Sequence, residues 1–127
     1  MIGLDLCEIA RIEKQLADGD GFLRRYFTPE ERAYLDGRGA VRAQSAAAMF
    51  AAKEAFLKAL GVGLSGGVAL ADVGVTHDAR GCPAYALAEP ALRLLRERGM
   101  ARAELSLTHE AGMAAAVCLL VAKAPGD

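Results

Sequence analysis

The sequence predicts an α+β fold in which antiparallel strands pack on one long buried helix. Three observations carry this expectation. The stretch from about Val41 to Leu60 has helical spacing and is apolar around its whole circumference. Two later segments alternate in the manner of strands around short turns: "ADVGVTH" and "PAYAL" around "DARG", and "RAELSLTH" and "MAAAVCLLVA" around "EAG". With 127 residues, against roughly 100–200 residues for an ordinary domain, residues 1–127 are expected to form one domain.

In chain order, "MIGLDL" suits a short buried strand, and "CEIARIEKQLA" follows with Ile9, Ile12 and Leu16 at helical spacing. Its other face carries Arg11, Lys14 and Gln15. "TPEERAYL" is a helix start: Thr28 as N-cap, Pro29 in the first turn and Glu31 closing a capping box. "DGRG" at 36–39 breaks that helix, and the long Ala-rich helix ends at Gly61, a C-terminal cap. The glycine-rich "GVGLSGG" leads into the first hairpin. "EPALRLLRERG" reads as a helix between Pro90 and Gly99 with Leu92 and Leu95 inward, and the second hairpin closes the fold before a frayed tail at 123–127.

Composition narrows the partners. Hydrophobic residues are 54% and charged residues 24%, too apolar for disorder, while no uncharged apolar run approaches the roughly 18–20 residues that cross a bilayer. A soluble, globular protein without a membrane partner is expected. The formal net charge of -1 supplies no global field for nucleic acid, so an anionic partner must meet a local basic patch. Cys7, Cys82 and Cys118 are odd in number, with no C-x-x-C pair, which reads as reduced thiols. "MIGLDL" has no leader-like features, so a cytoplasmic location is expected.

The apolar helix carries Lys53, Glu54 and Lys58. At 100° per residue Lys53 falls within the arc of Met49, Phe50, Phe56, Leu57 and Leu60, while Glu54 and Lys58 share one flank, four residues apart. Glu54 and Lys58 then form a helical ion pair with Lys53 snorkelling, or Glu54 joins Asp5, an unusual residue for an apolar strand, in holding a divalent cation. Two carboxylates with retained waters suit Mg²⁺ and leave positions for phosphate oxygens. Lys58 adds a point charge, and the glycines at 61, 63, 66 and 67 let backbone N–H groups approach a ligand, or simply cap the helix. No Walker A pattern occurs. His77, beside a turn, reads as a surface residue; His109 at a strand end, with Ser106, Thr108 and Glu110 nearby, is structural or a general base.

Taken in order, "IGLDLCEIARIEK", "FLRRYFTPEE", "FAAKEAFLKALGVG", "DVGV…ARGCP" and "LSLTHEAGMAAAVCL" resemble the short, stand-alone holo-[acyl-carrier-protein] synthase family of 4′-phosphopantetheinyl transferases. The resemblance implies transfer of 4′-phosphopantetheine from coenzyme A to a serine of apo acyl carrier protein, with release of adenosine 3′,5′-bisphosphate. It implies Mg²⁺ held by Asp5 and Glu54, and coenzyme A contacted by Lys53, Lys58, Gly61, Gly63, Pro83, Thr108 and His109. The proton acceptor is His109, Glu110 or a carboxylate acting through metal-bound water. It also implies a homotrimer with each site across a subunit boundary, and docking of the carrier protein on Arg11, Arg24 and Arg25. Two positions depart from the family pattern: Met49 stands where Arg is usual, and Cys82 where Lys or Arg is usual. Arg38 and Arg42 are the nearby cations that could compensate, and a weakened trimer that binds without turnover is the competing expectation; a different Mg²⁺-dependent phosphate-ester enzyme is the third.

Overall fold

A computed structural model describes residues 1–63 and 66–126. Leu64 and Ser65 of the glycine-rich loop, and Asp127 of the tail, lie outside the described residues. The strands are β1 (Ile2–Glu8), β2 (Val73–His77), β3 (Pro83–Leu87), β4 (Met100–Glu110) and β5 (Met113–Ala122). The helices are α1 (Ile9–Ala17), α2 (Gly21–Tyr26), α3 (Pro29–Asp36), α4 (Arg42–Ala59) and α5 (Glu89–Glu97), with 3₁₀ turns at Gly39–Val41 and Leu70–Asp72. One antiparallel sheet has the order β1-β5-β4, and β2 and β3 form a separate antiparallel pair.

Alternation along the three-stranded sheet decides what it packs against. Gly3, Asp5 and Cys7 on β1 lie level with Cys118, Ala116 and Ala114 on β5, and the buried members of this set face α4. The opposite face carries Ile2, Leu4, Leu6 and Leu119, which remain 48–65% exposed. α4 buries eleven of its residues, Lys53 among them, including the alanines at 46, 47, 51, 52, 55 and 59. Small side chains on both surfaces let helix and sheet approach closely. At Gly3 the approach is absolute: a Cβ there would lie 2.0 Å from the Ala55 carbonyl oxygen and 2.6 Å from the Ala59 nitrogen. Gly3→Ala is therefore expected to push β1 off α4 at a cost of about 1–3 kcal/mol, the range for overpacked cores. A urea unfolding midpoint equal to that of the parent would show that the strand can yield without loss.

α3 begins as its sequence dictates. The Glu31 N–H donates to Thr28 Oγ1 at 3.1 Å, and the Thr28 N–H donates to Glu31 Oε1 at 2.9 Å. Other elements differ in detail from expectation. β1 runs two residues further, to Glu8, so that the first helix starts at Ile9. "GFLRRY" forms a short helix, α2, which buries Leu23. On α5 the buried residues are Ala91 and Leu95, with Leu92 only half-buried, because the face against the sheet centres one residue earlier. His77 is not a free surface residue: its ring stacks on Tyr34 with centroids 4.2 Å apart and planes within 2°. Burial lowers its pKa below the ordinary histidine range, and among the described residues its buried Nδ1 has no hydrogen-bond partner.

Candidate active site

Asp5 and Glu54 meet where β1 crosses α4. The close approach at Gly3 brings Asp5, two residues on and facing the same way, beside the last turns of the helix. Lys58 donates from Nζ to Asp5 Oδ1 at 2.7 Å and to the Leu4 carbonyl at 3.2 Å. Thus Lys58 pairs with the strand carboxylate instead of with Glu54, although Glu54 stands one turn away on the same flank. Burial first, then the neighbouring Asp5 charge, raises the Glu54 pKa above the ordinary glutamate value, while Lys58 and Arg11 oppose the shift. No hydrogen bond or ion pair among the described residues engages the Glu54 carboxylate. Two carboxylates whose charges repel, one of them unbonded, are a donor set that a hard divalent cation fits. Among the described residues no third His, Cys, Asp or Glu joins them, so such an ion would keep positions for water or substrate oxygens.

His109 lies elsewhere. It is level with Ala114 of β5 and sits against the start of α4, with its Nε2 3.2 Å from the Gln44 Nε2. Gln44 and Glu54 are separated by about 15 Å of helix at 1.5 Å rise per residue. Thr108 and Glu110 alternate to the other side of β4, and both are exposed. The described chain therefore brings Asp5, Glu54 and Lys58 together but does not bring His109, Thr108 or Glu110 to them.

The pattern of the chain matches a family model described as the 4′-phosphopantetheinyl transferase superfamily over residues 1–118. The chain belongs to this superfamily. It is 45% identical over 119 residues to the holo-[acyl-carrier-protein] synthase of Treponema denticola, covering 94% of this chain and 95% of that one. It is 44% identical over 128 residues to the synthase of Anaeromyxobacter sp. (strain K), covering 98% and 97%. Among solved structures, the Helicobacter pylori holo-[acyl-carrier-protein] synthase in complex with coenzyme A superposes with a TM-score of 0.81 at 30% identity, covering 94% of this chain and 99% of that one. The Neisseria meningitidis synthase gives 0.84 at 34%, covering 94% and 95%. Likeness of this extent makes the chain an enzyme of that class, a 4′-phosphopantetheinyl transferase of the α+β synthase fold.

Within this transferase, Lys53 requires a correction. The family resemblance implies a contact with coenzyme A, and the helix alone suggests a snorkelling ammonium, but its side chain is 0% exposed. Its ammonium donates to Glu31 Oε1 at 2.7 Å and to the carbonyls of Val73 and Leu70 at 3.0 and 3.3 Å, and lies 4.9 Å from the centre of the Phe27 ring. Every donor is spent inside the fold. Burial lowers its pKa and the Glu31 charge opposes that shift. Glu31 is its partner, although the spacing of Glu31 from Thr28 signals only a cap.

The remaining transferase residues divide by location. Arg11 and Arg25 line one groove of about 650 Å³ with Phe22, Tyr26 and Phe50. Arg24 turns away, paired with Asp20 at 2.5 Å beside a second cleft that also touches Arg42. Gly61 follows α4 at φ +71°, the left-handed C-cap, and Gly63 is exposed in the loop beyond it. Pro83 opens β3 opposite His77. Met49 is completely buried and Cys82 is exposed at the hairpin turn; Arg38 is engaged by Ser45 and by the Tyr34 ring.

Proposed function

We propose that the protein transfers 4′-phosphopantetheine from coenzyme A to a serine of an apo acyl carrier protein in a Mg²⁺-dependent reaction that releases adenosine 3′,5′-bisphosphate. The observation that carries the reading is the convergence of Asp5, Glu54 and Lys58 at the β1–α4 crossing. The serine oxygen forms a bond to the phosphorus nearer the pantetheine, and the bond from that phosphorus to the bridging oxygen breaks, leaving on the bisphosphate. Asp5 and Glu54 would hold the cation, whose chemistry is to neutralise charge on the pyrophosphate oxygens. Lys58 meets the same anionic oxygens from the side.

The proton of the attacking serine needs an acceptor, and His109 or Glu110 serves if the end of β4 comes from a neighbouring copy. A homotrimer supplies that arrangement, and the outward sheet face with Ile2, Leu4, Leu6 and Leu119 supports assembly, because monomers rarely leave such an apolar patch uncovered. Residues 1–127 act as a single transferase domain in this assembly. The carrier protein docks along the groove of Arg11 and Arg25. Reversing both charges to glutamate is expected to raise the KM for the carrier about tenfold at low ionic strength, with the difference shrinking in salt. An unchanged KM would remove the groove from docking; Arg24, held by Asp20, should contribute less.

A second reading, a trimer that binds coenzyme A or the carrier without turnover, is favoured by Met49, an uncharged and completely buried side chain that offers a nucleotide no contact at this position. Incubation with apo carrier protein, coenzyme A and Mg²⁺, followed by mass spectrometry of the carrier, separates the two. A gain of the phosphopantetheine mass is expected. Binding without that gain would overturn the transferase reading in favour of the second.

A further inference from the structure

We infer that Lys58 is a built-in counter-ion of Asp5 which a divalent cation must displace, so that cation binding releases the Lys58 ammonium toward an anionic substrate. The inference rests on the reading of Asp5 and Glu54 as cation ligands. Lys58 Nζ bonds Asp5 Oδ1 at 2.7 Å, so its charge stands on the carboxylate that a cation would have to share. The two partners differ in freedom: the Asp5 side chain is only 13% exposed on a strand held against α4, whereas Lys58 is 54% exposed. The lysine is therefore the group that moves, on a flexible four-carbon stem. Its second acceptor is the Leu4 carbonyl at 3.2 Å, a contact that water replaces at little cost.

An ammonium and a divalent ion on one carboxylate repel strongly at such short range. Occupancy of Asp5 by one therefore weakens the other, and the coupling is reciprocal. In the substrate-free protein Lys58 keeps cation affinity low. When a pyrophosphate arrives, it gives the displaced ammonium a new partner, so cation and anion strengthen each other's binding.

The test uses the full chain without coenzyme A and Mn²⁺ as probe, with free Mn²⁺ read by electron paramagnetic resonance. Lys58→Met, which keeps the stem and removes the charge, is expected to bind Mn²⁺ about tenfold more tightly than the parent. In the parent, saturating Mn²⁺ is expected to raise acetylation of the Lys58 amine severalfold, as read by peptide mass spectrometry. Asp5→Asn and Glu54→Gln are expected to weaken Mn²⁺ binding. If those two weaken it but Lys58→Met leaves it equal or weaker, or Mn²⁺ leaves Lys58 acetylation unchanged, the counter-ion inference is overturned and the cation site stands. If neither carboxylate variant weakens Mn²⁺ binding, the cation-site reading itself fails, and the inference with it.

Discussion

Lys53→Ala is expected to destabilise the fold by about 3–5 kcal/mol, the scale for removing one partner of a buried ion pair. The loss is not that of a single bond. Glu31, 2% exposed, would lose its cation, and the Leu70 and Val73 carbonyls would lose a shared donor. Glu31 has other duties: its Oε1 accepts the Thr28 N–H that starts α3, and its Oε2 accepts the Val75 N–H at 3.0 Å. The pair thus ties α3, α4 and β2 at one point. Lys53→Met, which preserves volume, should lose most of the same energy, and adding Glu31→Gln should recover part of it by removing the stranded charge. Urea unfolding of the two single variants and the double variant measures the coupling. A loss below about 1 kcal/mol for Lys53→Ala would mean that water reaches the Glu31 carboxylate and replaces the ammonium. Against a total stability typically of about 5–15 kcal/mol, the expected loss decides whether the chain folds at physiological temperature.

Glu54→Gln is expected to show the reverse pattern. Mg²⁺-dependent transfer should fall by roughly a hundred- to a thousand-fold, the scale for losing one group that stabilises transition-state charge. The fold should not suffer. The Glu54 pKa is raised in the folded state by burial and by Asp5, so its ionised form opposes folding: the cost is absent below its unfolded pKa and complete above its folded one. A neutral amide removes that cost at pH 7, and the unfolding midpoint should hold or rise slightly. Steady-state turnover at saturating Mg²⁺, beside the urea midpoint, checks both halves. Unchanged turnover in a folded variant would take Glu54 out of the chemistry.

Adjacent lysine and glutamate in "AAKEA" therefore have separate duties, which helps to show what the sequence carried. Local signals read well. The Thr28–Glu31 box, the two hairpins and the glycine that ends α4 are set by residues within a few positions of each other. The angle of Lys53 places it among large apolar side chains, which suggests a snorkelling ammonium, whereas the whole side chain is buried. Its partner was not visible, because Glu31 already had a sufficient local explanation and the second one lies 22 residues away. α2 escaped because its six residues are too few to show a period, and no side-chain oxygen bonds its N-terminus. The sequence offers the pairing of Asp5 with Glu54 as one of two open alternatives, and the family resemblance favours it. The physical reason they meet, the missing side chain of Gly3, becomes apparent only when strand and helix are placed together.

The pairing of β1 with β5 also governs when this machinery can exist. The strand bearing Asp5 precedes the other described elements, and its antiparallel neighbour, in register from Ile2 with Leu119 to Glu8 with Met113, follows them. During synthesis the strand of Asp5 lacks its sheet neighbour until β5 leaves the ribosome. Such long-range closure slows folding and leaves an adhesive strand edge open to wrong neighbours in the meantime. A ribosome that stops before Met113 releases a polypeptide with both acids and the lysine in its sequence and no sheet on which to hold the first of them.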